Sequence, residues 1–467
     1  MPNPPDPLLA PLPVDLPAVE RVARMPGGFS AAGATAGIKA SGSQDLALIV
    51  ADGGPVPAAA VFTPNRFAAA PVRLSRANLR ATGGSELTAG YARAIIATSG
   101  SANAATGPSG DVDQAAIGLA VATALGIDPV QVLHLSTGVI GTRLPVDKVA
   151  ATVARVTGGG LSATTSGGLA ATDDALASAA LSLRTTDSTT KVASVRVTLP
   201  AADGGDPVVV TVSGICKGVG MIHPRMATML SVVLTDATAD PTTLRTLLRS
   251  AAARTWDQLS VDGDTSTNDT VFLLASGAAG AADATTDARA RAVLARAIEA
   301  VARDIARQQA RDGEGATALI TCQVSGACDD ADARAVARAV ISSSLVKAAV
   351  HGRDANWGRI AGAAGNARDA ERDVLEAAGM PADEAARRAN QPATVDPATM
   401  RIAIAGHLAY DGPRGGPAGV DKAAARASMA AEEVLIRVDL GLGAGSGEAF
   451  GCPLTEAYVK ENAEYTT

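Results

Sequence analysis

Aromatic side chains make up only 2% of the 467 residues. A protein that grips single-stranded nucleic acid stacks bases on aromatic rings and neutralises phosphates with a basic face. Basic residues number 40 against 47 acidic ones, a net charge of −7, so neither requirement is met and no nucleic-acid partner is expected. Cysteine is also sparse. Cys216, Cys322, Cys328 and Cys452 form no Cys-x-x-Cys pair, which argues against a disulfide scaffold or a zinc site. The four histidines, His134, His223, His351 and His407, lack a second histidine three or four residues on, so no metal is expected. No Gly-x-Ser-x-Gly elbow announces a serine hydrolase. No apolar run reaches the ~20 residues that span a bilayer. The opening MPNPPDPLLAPLPVDLP carries no basic segment and is broken by prolines, unlike a secretory signal. These absences leave a soluble, cytoplasmic protein without a membrane partner as the expectation.

Small side chains are abundant, with 48 glycines, and 47% of the chain is hydrophobic against 19% charged. Such a composition folds, and it lets backbones approach closely. Short β-rich runs alternate with alanine-rich helical ones, an α/β pattern. Strands are expected at 45–50, 94–98, 192–199, 208–213, 230–235, 271–275, 317–324, 400–405 and 434–440. The segment AADGGD joins two of them as a hairpin. Helices are expected at 112–125, from Asp240-Pro241 onward, at 287–309 and at 333–350. Asp240 suits the cap and Pro241 the first helical position. Val293, Leu294, Ile298, Val301 and Ile305 lie on one face at helical spacing. The run Gly441–Gly447 reads as a surface loop, because too little chain follows it for a dinucleotide-binding unit. A loose tail (1–24), a main domain (25–311) and a C-terminal domain (312–467) complete the organisation.

The segment KGVGMIHPRMATMLSVVLTDA, 217–237, is the most informative. Two glycines and a proline make an irregular approach to Ala227-Thr228, and a strand follows. A threonine before a strand is usually only a β-former. The same placement also suits an N-terminal nucleophile, whose hydroxyl attacks the preceding carbonyl and whose freed amine then serves as the local base. An α-amine titrates near pH ~8, close to working conditions.

This motif resembles the self-cleavage signature of the ornithine acetyltransferase (glutamate N-acetyltransferase) family of arginine biosynthesis. Further blocks are similar in family order: GIKASGSQDLALIVAD (37–52), SGSANAATGPSGDVD (99–113), STGVIGTRLP (136–145), VDGDTSTNDT (261–270), DGEGAT (312–317), NWGRI (356–360) and GCPLTEAYVKENAEYTT (451–467). The resemblance implies layered α/β sheets with flanking helices in a self-processing N-terminal-nucleophile-like architecture, plus a smaller C-terminal α/β domain whose tail returns to the site. It implies cleavage between Ala227 and Thr228, giving an α chain of 1–227 and a β chain of 228–467. Thr228 would be the nucleophile, and Thr137 and Gly138 the oxyanion hole. Thr172, Lys217, Glu314, Asn462 and Thr467, with Thr228, would contact substrate. Thr172 stands in Ala171-Thr172-Asp173, where the family pattern has Thr-Thr-Asp. Arg225 and Ala355 also depart from the pattern, where it has Asn and Pro.

The implied activity is transfer of acetyl from N²-acetyl-ornithine to glutamate through an acetyl-threonine ester. No cofactor is implied, and acetyl-CoA is an alternative donor in some members. The implied assembly is a heterotetramer of two α and two β chains. Two other readings stay open: a paralogue with a different acyl acceptor, and a related self-processing amidohydrolase or aminopeptidase.

Overall fold

The run DLALIV alternates no polar residue into its apolar stretch, which suits a strand covered on both faces. In the computed structural model, which describes residues 6–83, 88–158, 168–223 and 229–464, it becomes the strand Leu46–Ala51, buried throughout. It lies in a four-stranded sheet ordered Phe29–Ala34, Leu46–Ala51, Ala94–Ser101, Val132–Val139. A six-stranded sheet runs Ala89–Ala92, Val56–Phe62, Thr270–Ala275, Leu230–Thr235, Val208–Lys217, Lys191–Leu199. Its last two strands pair antiparallel from Lys191↔Cys216 to Leu199↔Val208 across the expected hairpin.

Core membership gives the layering. Alternate residues of Leu230–Thr235 belong to different cores, as the two-residue period of a strand requires. Val233 packs with the helices Pro241–Arg254 and Ala288–Arg311. Leu230, Val232 and Leu234 pack with Phe29, Ile49, Ile95 and Leu133 of the four-stranded sheet. The other face of that sheet, including Leu48 and Ile96, is covered by Ile117, Val121, Val149 and Val153 from the helices Gly107–Leu125 and Val146–Thr157. The order is helix, sheet, sheet, helix.

A seven-stranded sheet forms the C-terminal part. Its order is Leu259–Ser260, Gly445–Gly451, Leu319–Ala327, Glu433–Asp439, Arg401–Ile404, His407–Asp411, Gly416–Pro417. The α/β class is therefore observed directly. The two parts share packing, because Leu319, Phe450 and Cys452 join the core built around Ala288–Arg311.

Local expectations fail where a distant or a capping partner decides. The single helix over 333–350 is two, Asp330–Ser342 and Ser344–His351, because the Ser343 hydroxyl accepts the Val346 N–H and caps a new helix. The Gly441–Gly447 loop is in part a strand, Gly445–Gly451, paired with Leu319–Ala327. The tail is not loose over residues 6–24. Asp6 pairs with Arg401, Arg437 donates to the Ala10 carbonyl, and the Leu12 N–H donates to Gln323 Oε1 at 2.8 Å. Glu20 makes a β-bridge with Ser194. No helix among the described residues is long and apolar enough to cross a membrane.

Candidate active site

Two strand ends, one turn and the last helix converge on a cavity of ≈ 310 Å³. Thr137, Gly138, Thr186, Lys217, Gly220, Asn268, Glu314 and Asn462 contribute to its lining. Thr137 and Gly138 end the strand Val132–Val139, beside Ser99–Ser101 of the neighbouring strand. A Cβ on Gly138, whose φ is +127°, would lie 2.3 Å from the Gly100 carbonyl carbon. Only glycine permits both that backbone angle and that approach.

Lys217 ends the strand Val208–Lys217 and is buried. Its Nζ donates to Thr137 Oγ1 at 3.1 Å. Because the ammonium occupies a lone pair of the hydroxyl oxygen, the Thr137 proton stays available as a donor. Burial pushes the Lys217 ammonium downward in pKa, and the Asp187 carboxylate opposes that shift.

Asp187 organises this corner. One oxygen accepts from Gly218 N–H and from Lys191 Nζ, both at 2.7 Å, and the other accepts the Thr185 N–H at 3.0 Å. Burial alone would raise its carboxyl, but the Lys217 and Lys191 ammonium groups and the Gly218 N–H hold it at about 2. Lys191 also donates to Asp312 at 2.6 Å, which fixes the turn that presents Glu314. The Glu314 N–H donates to the Val219 carbonyl at 2.9 Å. Its carboxylate accepts from the Thr186 hydroxyl at 3.1 Å and from Asn462 Nδ2 at 3.0 Å. A Cβ on Gly220 would sit 2.2 Å from Glu314 Oε2, so a side chain there would displace the carboxylate. Asn462 arrives on the helix Glu456–Glu464, whose first turn is tied back by Thr455, bonded to the Gly315 carbonyl at 2.8 Å.

Five of the site residues expected from the sequence therefore meet at one cavity: Thr137, Gly138, Lys217, Glu314 and Asn462. Ala227, Thr228 and Thr467 lie outside the described residues. Thr172 does not line the cavity. Its hydroxyl accepts the Ala175 N–H and caps the helix Asp173–Leu183, where it is exposed. Thr185 and Thr186 line the cavity instead, within an uninterrupted Thr185-Thr186-Asp187 just after that helix. Asn268 and Asp187 were likewise not singled out. Among the described residues no group of three or more His, Cys, Asp or Glu side chains is placed to hold a metal ion.

Residues 30–467 match the ArgJ family. The chain is similar to the arginine biosynthesis bifunctional protein ArgJ of Thermosynechococcus vestitus, with 43% identity over 94% of this chain and 96% of that protein. It is 40% identical to the Thermus thermophilus protein of the same name, over 95% of this chain and 99% of that one. Among solved structures, ArgJ of Bacillus halodurans aligns with 37% identity over 50% of this chain and 98% of that chain, with a TM-score of 0.43.

Proposed function

The chain belongs to the ArgJ family and is an acyltransferase of arginine biosynthesis, and from that premise we propose that it transfers acetyl from N²-acetyl-L-ornithine to L-glutamate through Thr228. The observation that carries this reading is the Lys217–Thr137 hydrogen bond in the wall of a cavity that Gly138 and the Glu314–Asn462 pair also line. The arrangement supplies one donor system for a developing oxyanion, one cation for a carboxylate and one carboxylate for an ammonium.

Self-cleavage comes first. Thr228 Oγ attacks the Ala227 carbonyl carbon. The C–N bond breaks as the C–O bond forms, and the hydroxyl proton ends on the freed Thr228 amine. Water then hydrolyses the ester, leaving a carboxyl on Ala227 and the hydroxyl and amine on Thr228. In transfer, that amine takes the hydroxyl proton while Oγ attacks the acetyl carbonyl of the donor. The proton passes to the departing ornithine nitrogen. The glutamate amine attacks the acetyl-Thr228 ester by the reverse sequence. Thr137 Oγ–H and Gly138 N–H stabilise both tetrahedral oxyanions, a contribution of typically ~3–4 kcal/mol per donor. Lys217 meets the substrate carboxylate as a point charge. Thr186, in place of Thr172, joins Glu314, Asn462 and Thr467 in orienting the substrate. The steps call on no metal or redox cofactor. Acetyl-CoA as a second donor and an assembly of two α and two β chains complete the proposal, and both rest on the family resemblance.

The deciding experiment incubates processed protein with acetyl-ornithine, with and without glutamate, and identifies products by mass. Beyond a single equivalent of ornithine per active site, N-acetylglutamate and ornithine should appear together, and only when glutamate is present. Ornithine and free acetate without glutamate would make water the acceptor and overturn the reading in favour of a hydrolase.

Lys217→Met removes both the carboxylate partner and the group that orients Thr137. A charge-assisted contact of about 1.5–3 kcal/mol corresponds to roughly 10- to 150-fold in apparent substrate affinity. Steady-state kinetics on fully processed variant should show that loss, with kcat falling as well. Unchanged constants would leave Lys217 only a structural role.

A further inference from the structure

Asp269 is fully buried, and no step described so far uses it. It closes the loop whose residues Ser266, Thr267 and Asn268 line the cavity. The loop is held rigidly. Asn268 Nδ2 donates to the Ala102 and Ser136 carbonyls at 2.7 and 2.8 Å, and the Thr63 hydroxyl donates to the Ser266 carbonyl at 2.7 Å. The Thr63 N–H donates to the Asp269 carbonyl at 2.9 Å. From this frame Asp269 Oδ1 accepts the Met229 N–H at 3.0 Å. The Met229 carbonyl in turn accepts the Thr270 N–H at 3.0 Å, where the strands Leu230–Thr235 and Thr270–Ala275 begin to pair. Met229 is thus clamped at both of its backbone polar groups.

Asp269 Oδ2 is buried with no hydrogen-bond partner among the described residues. A buried polar atom left unpaired costs stability, and such atoms in folded proteins call for a reason. Burial also drives the carboxyl well above the usual carboxylate range, against the Met229 N–H and the nearby Ser266. The peptide unit is planar, so the Met229 N–H, the Thr228 carbonyl and the Thr228 Cα move as one body.

We propose that Asp269 is the positioning residue of the nucleophile: by accepting the Met229 N–H it ties Thr228 to the same rigid loop that lines the substrate cavity and braces the strand carrying Thr137. This rests on the reading of Thr228 as nucleophile. Misplacing a reacting group by about 1 Å costs on the order of 100-fold in rate, and Asp269 acts at one peptide bond's remove from the reacting residue.

The test follows cleavage of newly synthesised full-length chain by denaturing electrophoresis in a pulse–chase format. Asp269→Ala should slow processing at least about tenfold. Asp269→Asn keeps an oxygen acceptor for the Met229 N–H and should process within about threefold of the parent. If the alanine variant does not fold, Asp269→Leu removes the acceptor while filling the space, and the same slowing is expected. In the fraction of the alanine or leucine variant that does process, kcat should fall while KM for acetyl-ornithine is unchanged. A merely structural role would not produce that split. Parent-like processing in a folded variant without the acceptor would overturn the inference. So would an asparagine variant as slow as the alanine one. Thr228→Ala run in parallel keeps the two claims separate. If it is cut at the same bond, the nucleophile reading fails. If it stays whole while Asp269→Ala cuts at the normal rate, only the role of Asp269 fails.

Discussion

Replacing Thr228 by alanine should leave a single uncut chain and abolish acetyl transfer. The parent should run as two fragments of nearly equal size, and sequencing of the C-terminal one should begin Thr228-Met229-Leu230-Ser231. The magnitude follows from the role. Alanine has no oxygen to attack the Ala227 carbonyl, so processing has no route. Without processing there is no free amine to act as base, and without Oγ there is no ester. Deleting a covalent nucleophile in a hydrolase costs on the order of a millionfold in kcat, which places the variant at background. Thr228→Ser keeps a hydroxyl and should still cleave and turn over. Intact-mass measurement checks both variants. An alanine variant cut between residues 227 and 228 would remove Thr228 from the mechanism.

Asp187→Ala should be the most destabilising single change at the site. Lys191 and Asp187 are both fully enclosed at their side chains, with Nζ and Oδ1 2.7 Å apart. Removing one partner of a buried ion pair leaves the other charge uncompensated, a loss of about 3–5 kcal/mol. Asp312 still faces Lys191 at 2.6 Å and keeps the loss toward the lower end. Lys217 would also face Lys191 without the carboxylate that offsets them both. Urea unfolding followed by circular dichroism measures the change. Asp187→Asn retains an acceptor for the Gly218 N–H and should lose less. The pH dependence has a definite sign. The Asp187 carboxyl sits at about 2 in the fold against an ordinary 3.8. Its stabilising contribution is therefore complete above the ordinary value and disappears as pH falls from there through about 2. Between those limits the parent should lose stability with acid more steeply than Asp187→Asn. Parallel acid limbs would refute the assignment.

How much was legible depended on how local the deciding contacts are. The hairpin through AADGGD was readable because its turn residues and its two β-rich arms are neighbours. The cap at Asp240 was readable because it acts on Thr243, three residues on, at 2.6 Å. The break at Ser343 is just as local, but it was hidden in an alanine-rich stretch whose helical character continues on both sides. The tail misled for a different reason. Its prolines rule out a long helix or strand, yet Asp6, Ala10 and Leu12 are held by Arg401, Arg437 and Gln323. No local pattern reveals partners so far along the chain.

The same division runs through the site. By itself the sequence determined the α/β alternation and the family blocks, because spacing and short motifs constrain residues a few positions apart, and the resemblance those blocks carry pointed to Thr137, Gly138, Lys217, Thr228 and Glu314. Which threonine borders the cavity was visible only in the tertiary structure. Thr172 and Thr186 stand at opposite ends of the helix Asp173–Leu183, and only Thr186 reaches Glu314. The placement of Asp187 against Lys191 and Asp312, and of Asp269 beneath Met229, was decided in the same way. The reason is physical. A buried charge or an unpaired N–H gains its energy from whichever partner lies within about 3 Å, and which residues come that close is set by how two sheets and their helices stack, not by their order in the chain.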